Sequence, residues 1–204
     1  MKVAIVDSGI GNFASIQHAI ARAGGKAIIA SSPADLDAAT HVILPGVGSF
    51  DTAVTTIEAR GLKAALAQKV LEEKTPTLGI CLGMQVLSDS SEEGACRGLG
   101  WLPARTIRFS ANDIRVPHIG WNQIRPQRPS ALLEGIGDSA RFYFAHSYHC
   151  VERDQGDVVA LTDYGYPFAS VIVQDNIVGT QFHPEKSNRD GHRLLCNFLA
   201  MGPA

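Results

Sequence analysis

The chain has 204 residues, of which 45% are hydrophobic and 19% charged, and its formal net charge is −2. This composition is typical of a soluble globular protein, and without a block of like charge it offers no footprint for nucleic acid or an anionic membrane. No apolar stretch approaches the roughly 18 residues of a membrane span, and the opening apolar run is too short for a signal peptide. We therefore expect a cytoplasmic protein with one domain over 1–204 and with neither nucleic-acid nor membrane partners.

Strand-like and helical patterns alternate along the first 88 residues. Strands are predicted over 2–6, 26–30, 41–44 and 77–80, and helices over 12–23, 51–73 and 82–88. A further helix is predicted to begin at Ser32-Pro33, and the helix over 51–73 to be interrupted at Gly61. This alternation predicts a parallel sheet with helices on both faces.

The pattern changes from Arg105 onward, where short strand-like runs dominate. They are predicted over 105–109, 121–125, 142–144, 158–162, 169–174 and 177–182, and Asp175-Asn176 forms a turn between the last two. A final helix is predicted to begin at Ser187, as N-cap, and to end at Gly202. The whole pattern predicts a single three-layer α/β domain with a central, mostly parallel mixed sheet.

Cys81 lies between a predicted strand and a predicted helix, with Gly79 and Gly83 on either side. A Gly-x-nucleophile-x-Gly pattern is typical of a sharp strand-turn-helix elbow, where the flanking residues have no room for side chains. Such an elbow places the thiol at the carboxyl edge of the sheet, where open α/β folds carry their sites. A buried structural cysteine is the alternative, but the symmetric glycines favour a nucleophile.

The segment His183-Pro184-Glu185 follows the last predicted strand. Pro184 favours an extended conformation at His183, and in an extended segment residues i and i+2 point to one side. Glu185 would then orient the imidazole as a general base for Cys81. The alternative is an exposed turn with a chance histidine and acid. His146 and His149 are weaker candidates that would line the cleft, because neither has a carboxylate at i+2.

Acyl-transfer chemistry also needs N–H donors for a developing oxyanion. The backbone N–H of Leu82, directly after Cys81, is one candidate. The loop Pro45–Phe50 follows the third predicted strand, and its glycines would let the backbone of Val47 and Gly48 approach a substrate. An ordinary β-α turn is the alternative for this loop.

A glycine pattern at the N-terminus, G-x-G-x-x-A from Gly9 to Ala14, resembles a dinucleotide fingerprint. Such a site also needs an acid after the second strand, where this chain has Ala30-Ser31-Ser32. A non-catalytic nucleotide-binding module therefore remains only an alternative. The four cysteines form no Cys-x-x-Cys pair, and no histidine and acid set has metal-ligand spacing, so we expect neither metal nor cofactor.

The elbow Gly-Ile-Cys-Leu-Gly-Met-Gln, followed later by His-Pro-Glu, resembles class I, triad-type glutamine amidotransferases. Further segments resemble the glutaminase subunits of imidazole glycerol phosphate synthases: 7–12, 45–50, 91–94, 98–101, 117–122, 143–148 and 179–187. The Pro-His-Ile-Gly-Trp-Asn segment at 117–122 is particularly specific, and the resemblance spans the whole chain. One departure is His149, where a tyrosine is expected after Tyr148.

The resemblance implies a flavodoxin-like glutaminase without a cofactor. Cys81 would attack the glutamine side-chain amide and form a glutamyl thioester. His183, oriented by Glu185, would protonate the departing ammonia and then activate water. The resemblance also implies that Val47, Gly48 and Leu82 supply the oxyanion donors. It further implies that Gln85, Ser147 and Tyr148 contact glutamine.

The implied partner is a (β/α)₈-barrel cyclase subunit, which would use the ammonia in a step of histidine biosynthesis. Asn12, Trp121 and Lys186 are hypothesised to lie at or near the interface, with core packing as the alternative for Trp121. A stand-alone glutaminase of another pathway and a cysteine peptidase on the same fold are the competing hypotheses.

Overall fold

A computed structural model describes residues 1–9, 11–110, 114–153 and 155–202. The helices are α1 (Phe13–Arg22), α2 (Phe50–Ala59), α3 (Leu62–Ala67), α4 (Leu82–Val86) and α5 (Asn188–Leu199). The strands are β1 (Lys2–Val6), β2 (Lys26–Ala30), β3 (His41–Leu44), β4 (Thr77–Ile80), β5 (Ala104–Arg108), β6 (His118–Gln123), β7 (Arg125–Pro126), β8 (Arg141–His146), β9 (Tyr148–Glu152), β10 (Val158–Tyr164), β11 (Tyr166–Gln174) and β12 (Ile177–Thr180).

The central sheet has the strand order β2-β1-β3-β4-β12-β11-β10-β7. Neighbouring strands from β2 to β12 pair in parallel, and those from β12 to β7 pair antiparallel. This arrangement confirms the predicted α/β domain with a mostly parallel mixed sheet. That the domain takes in all of 1–204 stays a prediction.

The three layers follow from the side chains of β1, which is buried on both faces as parallel strands usually are. Val3 and Ile5 pack in one hydrophobic cluster with α1 and α5. Ala4 and Val6 point the other way, into a cluster with α2, α3 and α4. The period-2 alternation of one strand thus fixes helices on both sides of the sheet.

Not every strand-like run joins the central sheet. β5 pairs with β9 and β6 pairs with β8, in antiparallel ladders separate from it. The sequence pattern predicts the ends of β5, β6 and β8 to within three residues but does not predict β9. These ladders lie over the carboxyl edge of β4, because Ala145 and Tyr148 line the same cavity as Cys81.

Of two predicted helix details, one differs from the structure and one agrees with it. The helix predicted at Ser32-Pro33 is one 3-10 turn, Pro33–Leu36, in which only Leu36 is buried. With a single apolar anchor, a longer helix would gain little from packing. The interruption at Gly61 is confirmed, since its φ of +67° separates α2 from α3.

Ser187 precedes α5, as predicted, but its side chain does not cap the helix. Its Oγ donates to the His183 carbonyl at 2.6 Å and accepts from the Tyr143 N–H at 3.0 Å. The predicted N-cap therefore ties β8 to the turn that carries His183.

Candidate active site

The backbone at Cys81 is strained, with φ +53° and ψ −107° between β4 and α4. A Cβ added to Gly79 would lie 2.7 Å from Met84 N, and one added to Gly83 would collide with the Leu44 carbonyl. Both glycines are thus required by the packing of the turn. Strain of this kind, of order 1–3 kcal/mol per residue, concentrates at functional sites.

His183 and Glu185 form a buried pair above the elbow. The His183 Nδ1–Glu185 Oε1 distance is 2.8 Å, and the two side chains are 3% and 2% exposed. The His183 backbone is extended, with φ −100° and ψ 95°, as the following proline requires. Glu185 therefore orients one nitrogen of the imidazole.

The protonation of His183 depends on opposing effects. Burial lowers the pKa of the imidazole, but interactions with the Cys81 and Glu185 side chains outweigh burial and raise that pKa to about 10. The ring therefore carries a proton at neutral pH. A protonated imidazole beside a sulfur atom is the arrangement that cysteine hydrolases use to supply a proton to a leaving group.

The Cys81 sulfur makes two further polar contacts. Sγ lies 3.9 Å from the Ala145 carbonyl oxygen, and the Gln181 Nε2 donates to it at 3.7 Å. Gln181 is fully buried and was not predicted as a site residue. The signal was present, because Gln181 stands two positions before His183 in a segment predicted to be extended, where residues i and i+2 point to one side.

A cavity of about 240 Å³ opens at the sulfur. Its walls come from the β3–α2 loop, the elbow, the β8–β9 connection and the segment before β6. The lining residues are Gly46, Val47, Gly48, Cys81, Leu82, Gln85, Glu93, Pro117, Ile119, Ala145, His146, Ser147 and Tyr148. The structure thus brings every residue predicted for the oxyanion and for glutamine to one cavity.

The predicted oxyanion loop packs directly on the elbow. A Cβ on Gly46 would collide with the Gly83 amide nitrogen, so only glycine allows this approach. Within the described residues, the backbone amides of Val47, Gly48 and Leu82 donate no hydrogen bond to the protein. All three residues line the cavity that opens at Cys81.

Gln85 and Tyr148 are linked to each other within the cavity wall. Gln85 Nε2 donates to the Tyr148 carbonyl at 2.9 Å and to Gln181 Oε1 at 3.2 Å. The Ser147 carbonyl accepts from the Phe109 N–H at 3.1 Å. Since both carbonyls are already bonded, Ser147 and Tyr148 would meet a ligand mainly through N–H groups and side chains.

Glu93 adds a carboxylate to the cavity. Its Oε2 accepts from the Phe50 N–H at 2.9 Å, which holds the side chain against the start of α2. The sequence pattern singled out the segment 91–94 without giving Glu93 a role. No local spacing connects Glu93 to Cys81, so only the folded chain reveals its place.

Residues 4–201 match the family model of class I glutamine amidotransferases. The chain belongs to this family. It is also similar to two curated relatives described as imidazole glycerol phosphate synthase subunits HisH. That of Methanococcus maripaludis is 45% identical and covers 97% of this chain and 98% of its own. That of Moorella thermoacetica is 47% identical and covers 96% and 93%.

Solved structures agree with this membership at the level of the fold. The structure of PurLQS from Thermotoga maritima is 18% identical, covers 97% of each chain and superposes with a TM-score of 0.77. A crystal structure described as a glutamine amidotransferase is 23% identical, covers 97% of this chain and 96% of its own, with a TM-score of 0.71. The class I glutamine amidotransferase fold is therefore shared over nearly the whole chain.

Of the three residues hypothesised to face a partner, two lie beside the same tyrosine ring and the third caps a helix. Trp121 is 41% exposed on β6, and its ring lies 6.0 Å from that of Tyr143. Lys186 Nζ lies 5.8 Å from the centre of the same Tyr143 ring. Asn12 accepts from the Ser15 N–H at 3.3 Å and caps α1. Exposure of Trp121 disfavours the core-packing alternative.

The N-terminal glycine pattern has a different use from nucleotide binding. Asp7 Oδ2 pairs with Arg60 at 2.9 Å and accepts from Ser31 Oγ at 3.0 Å, while Oδ1 accepts from the Gly9 N–H at 2.9 Å. A carboxylate thus occupies the turn where a phosphate would bind. Ile10 lies outside the described residues. The arrangement disfavours the nucleotide-binding alternative.

The described part of the chain lacks two kinds of feature. No group of three or more histidine, cysteine, aspartate or glutamate side chains there is placed to hold a metal ion. Nor does any helix in those residues combine the length and apolar character needed to cross a bilayer.

Proposed function

We propose that this chain hydrolyses glutamine to glutamate and ammonia as the glutaminase subunit of an imidazole glycerol phosphate synthase. The observation that carries the proposal is what meets at the Cys81 elbow: the His183–Glu185 pair interacts with the sulfur, and a cavity lined by the unbonded loop amides opens beside it. Membership of the class I amidotransferases and the similarity to HisH subunits support the same reaction.

The reaction begins with attack of Cys81 Sγ on the side-chain carbonyl carbon of glutamine. His183 holds the proton that the sulfur gives up, and the amides of Val47, Gly48 and Leu82 bind the developing oxyanion. Losing one such donor typically costs about 10²–10³ in rate. His183 then donates its proton to the departing nitrogen. The nitrogen leaves as ammonia, and the glutamyl group stays on Cys81 as a thioester.

Water completes the cycle. With its proton gone, the His183 imidazole takes a proton from a water molecule that attacks the thioester carbonyl. The same amides hold the second oxyanion, and the carbon–sulfur bond breaks to release glutamate. Glu185 keeps the imidazole in one orientation through both steps, because Nδ1 stays bonded to its carboxylate.

The charges in the cavity favour an amino acid with a neutral side-chain amide. The Glu93 carboxylate and the Gln85 side-chain carbonyl belong to residues that line the cavity, and both can accept from an α-ammonium group. A peptide substrate would carry no free α-ammonium next to its reacting amide. This reasoning favours glutamine over a peptide.

The partner we propose is a (β/α)₈-barrel cyclase subunit in the cytoplasm, which consumes the ammonia in histidine biosynthesis. Ammonia must be kept from water, so the partner should cover the mouth of the cavity. Ile119 lines that cavity and is 63% exposed, with Trp121 two positions along the same strand. We place Trp121, Lys186 and Asn12 at or near this interface.

The test is a glutaminase assay with and without the cyclase subunit, comparing wild type with Cys81→Ala. We expect ammonia release to fall by about 10³-fold or more in the variant, as for other nucleophile deletions. Cys196→Ala is the matched control, because Cys196 lies on α5 and bonds His192. Ammonia release that survives Cys81→Ala would reject the mechanism. Ammonia release that does not change when the cyclase subunit is added would reject the subunit assignment, and so would hydrolysis of peptides.

A further inference from the structure

The strand β6 has two different faces. Ile119 and Trp121 point outward and are 63% and 41% exposed. His118 points inward, where it is buried, and Asn122 follows on the same inner face. The exposed face is the one we assign to the partner. The inner face carries polar groups that no step of the proposed reaction uses.

Hydrogen bonds fix the proton positions on the inner face. His146 Nδ1 lies 2.7 Å from the Tyr148 carbonyl, which only accepts, so Nδ1 carries a proton and, in the neutral ring, Nε2 is an acceptor. His118 Nδ1 lies 3.1 Å from that Nε2 and must therefore donate to it. His118 Nε2 is left as an acceptor, and Asn122 Nδ2 approaches it at 3.4 Å.

The hydrogen-bond roles of Asn122, at the end of this chain of bonds, are fixed in the same way. Asn122 Oδ1 accepts from the Gln123 N–H at 2.8 Å, which leaves Nδ2 as the donor, and Nδ2 also bonds the Asp163 carbonyl at 3.1 Å. Burial lowers the pKa of His118 to about 4 and that of His146 to about 3, so both rings are neutral at ordinary pH. Neutral rings are what the bonding pattern requires.

The chain continues from Tyr148 to the nucleophile. The Tyr148 carbonyl accepts from Gln85 Nε2 as well as from His146. The same Gln85 nitrogen donates to Gln181 Oε1 at 3.2 Å, and Gln181 Nε2 donates to Cys81 Sγ at 3.7 Å. Hydrogen bonds thus run without a break from the inner face of β6 to the reactive sulfur.

We propose that His118 and Asn122 are positioning residues of the glutamine site, which hold the Tyr148 carbonyl and the Gln85 amide in place through the His146 ring. Turning any one member would leave a buried donor or acceptor unpaired, which is costly. The His118 ring is itself held by stacking on Tyr164 and Phe144, with centroid distances of 4.0 and 4.8 Å. The inference rests on the proposed function, since it assigns a role in glutamine turnover.

The test is steady-state glutaminase kinetics of the assembled complex with His118→Phe and His118→Asn. Phenylalanine keeps the stacked ring but removes the donor, and we expect kcat/KM for glutamine to fall roughly tenfold. Asparagine places an N–H near the position of Nδ1, so this variant should recover most of the loss although it lacks the ring. Unchanged kinetics in His118→Phe, or equal losses in both variants, would overturn the proposal.

His149→Phe is the matched control for packing. His149 lies in the same aromatic cluster, 4.7 Å from the Phe109 ring, but its nitrogens bond Tyr166 OH and the Cys150 carbonyl. We expect this variant to lose stability without a change in kcat/KM. A loss of kcat/KM as large as that of His118→Phe would show that the cluster acts by packing alone.

Long-range ¹H–¹⁵N NMR of the isolated chain tests the bonding pattern independently of turnover. Both rings should be neutral Nδ1–H tautomers from about pH 5.5 to 8.5, outside the range in which such buried rings charge. An Nε2–H tautomer of His146 would contradict the chain of bonds. If the wild-type complex released no ammonia, the proposed function would fail while this measurement still decided the hydrogen-bond pattern.

Discussion

The parallel half of the sheet, from β1 to β4, and the antiparallel segments from β5 to β11 contribute to the same cavity by different means. The parallel half provides backbone: the strained turn at Cys81 and the close approach of Gly46 to Gly83. The antiparallel half provides buried side chains and their hydrogen bonds, such as those of His118 and His146. A backbone contact admits no adjustment, whereas the loss of one member of a hydrogen-bonded network causes no steric clash and instead leaves a donor or acceptor unpaired.

The comparison predicts its largest effect at Gly83. In Gly83→Ala the new Cβ meets the Leu44 carbonyl, which belongs to a central strand and cannot move aside. We expect a destabilisation of about 3 kcal/mol or more, with loss of the folded enzyme at 37 °C. Urea unfolding measures it, and Gly137→Ala is the control, because no atom lies within 4 Å of a Cβ there. Equal stability of the two variants would contradict the packing argument.

The next effect concerns the pair that follows β12. Glu185→Gln keeps the shape but removes the charge that orients His183, and we expect kcat for ammonia release to fall by about 10³–10⁴. Stability at pH 7 should change far less than activity. Steady-state kinetics of the complex, with thermal unfolding in parallel, checks both. A loss below tenfold would show that Glu185 does not act on the imidazole.

Glu185→Gln should also change how the stability of the folded chain depends on pH. The pKa of His183 is raised from 6.5 to about 10 in the folded chain, so its stabilising contribution is complete below pH 6.5 and is lost between pH 6.5 and 10. The unfolding free energy of wild type should therefore fall more between pH 7 and 10 than that of Glu185→Gln. We expect a difference of at least about 1 kcal/mol, close to one pKa unit. Parallel pH profiles would contradict it.

A smaller effect is expected where the two regions are tied together. Ser187 is buried and bonds both the Tyr143 N–H of β8 and the His183 carbonyl. Ser187→Ala should cost about 1–3 kcal/mol and lower kcat several-fold, because it leaves buried groups unpaired. Ser130→Ala removes only a cap on the turn Ala131–Leu133 and should leave kcat unchanged. Equal kinetics of the two variants would remove Ser187 from this role.

The smallest effect is expected on the outer face of β6. Trp121→Ala should change the stability of the free chain by less than about 0.5 kcal/mol, since the ring is 41% exposed. Its affinity for the cyclase subunit should fall about tenfold if Trp121 is part of the interface. Calorimetric titration measures it. Ile28→Ala serves as the control, because Ile28 is an exposed residue of the edge strand β2. Equal affinities of the two variants for the cyclase subunit would exclude Trp121 from the interface.

Sequence patterns predicted the parallel half closely because its signals are local. The strand–helix alternation, Gly61 and the glycines around Cys81 each act within a few residues, and the elements lie where they were predicted. The antiparallel half was predicted as a series of strands without partners. β9 was missed because it follows β8 after a single residue, Ser147, with no turn signal between them.

The site divides in the same way. Cys81, His183 and Glu185 follow from spacing, since a glycine-flanked turn and an extended His-Pro-Glu segment need no distant contact. Gln181 had a readable signal in its i, i+2 relation to His183. Glu93 had none, because its place at the cavity depends on a hydrogen bond to Phe50, far away in the sequence.

The amino-acid sequence alone determined the βα order, the sharp turn at Cys81 and the extended conformation of His183, because glycine and proline restrict the backbone of their immediate neighbours. Tertiary structure alone decided which antiparallel strands pair, how His118 connects to Tyr148, and how burial and neighbouring charges set the protonation of His183. Strand pairing, desolvation and proton positions depend on groups that only the folded chain brings together.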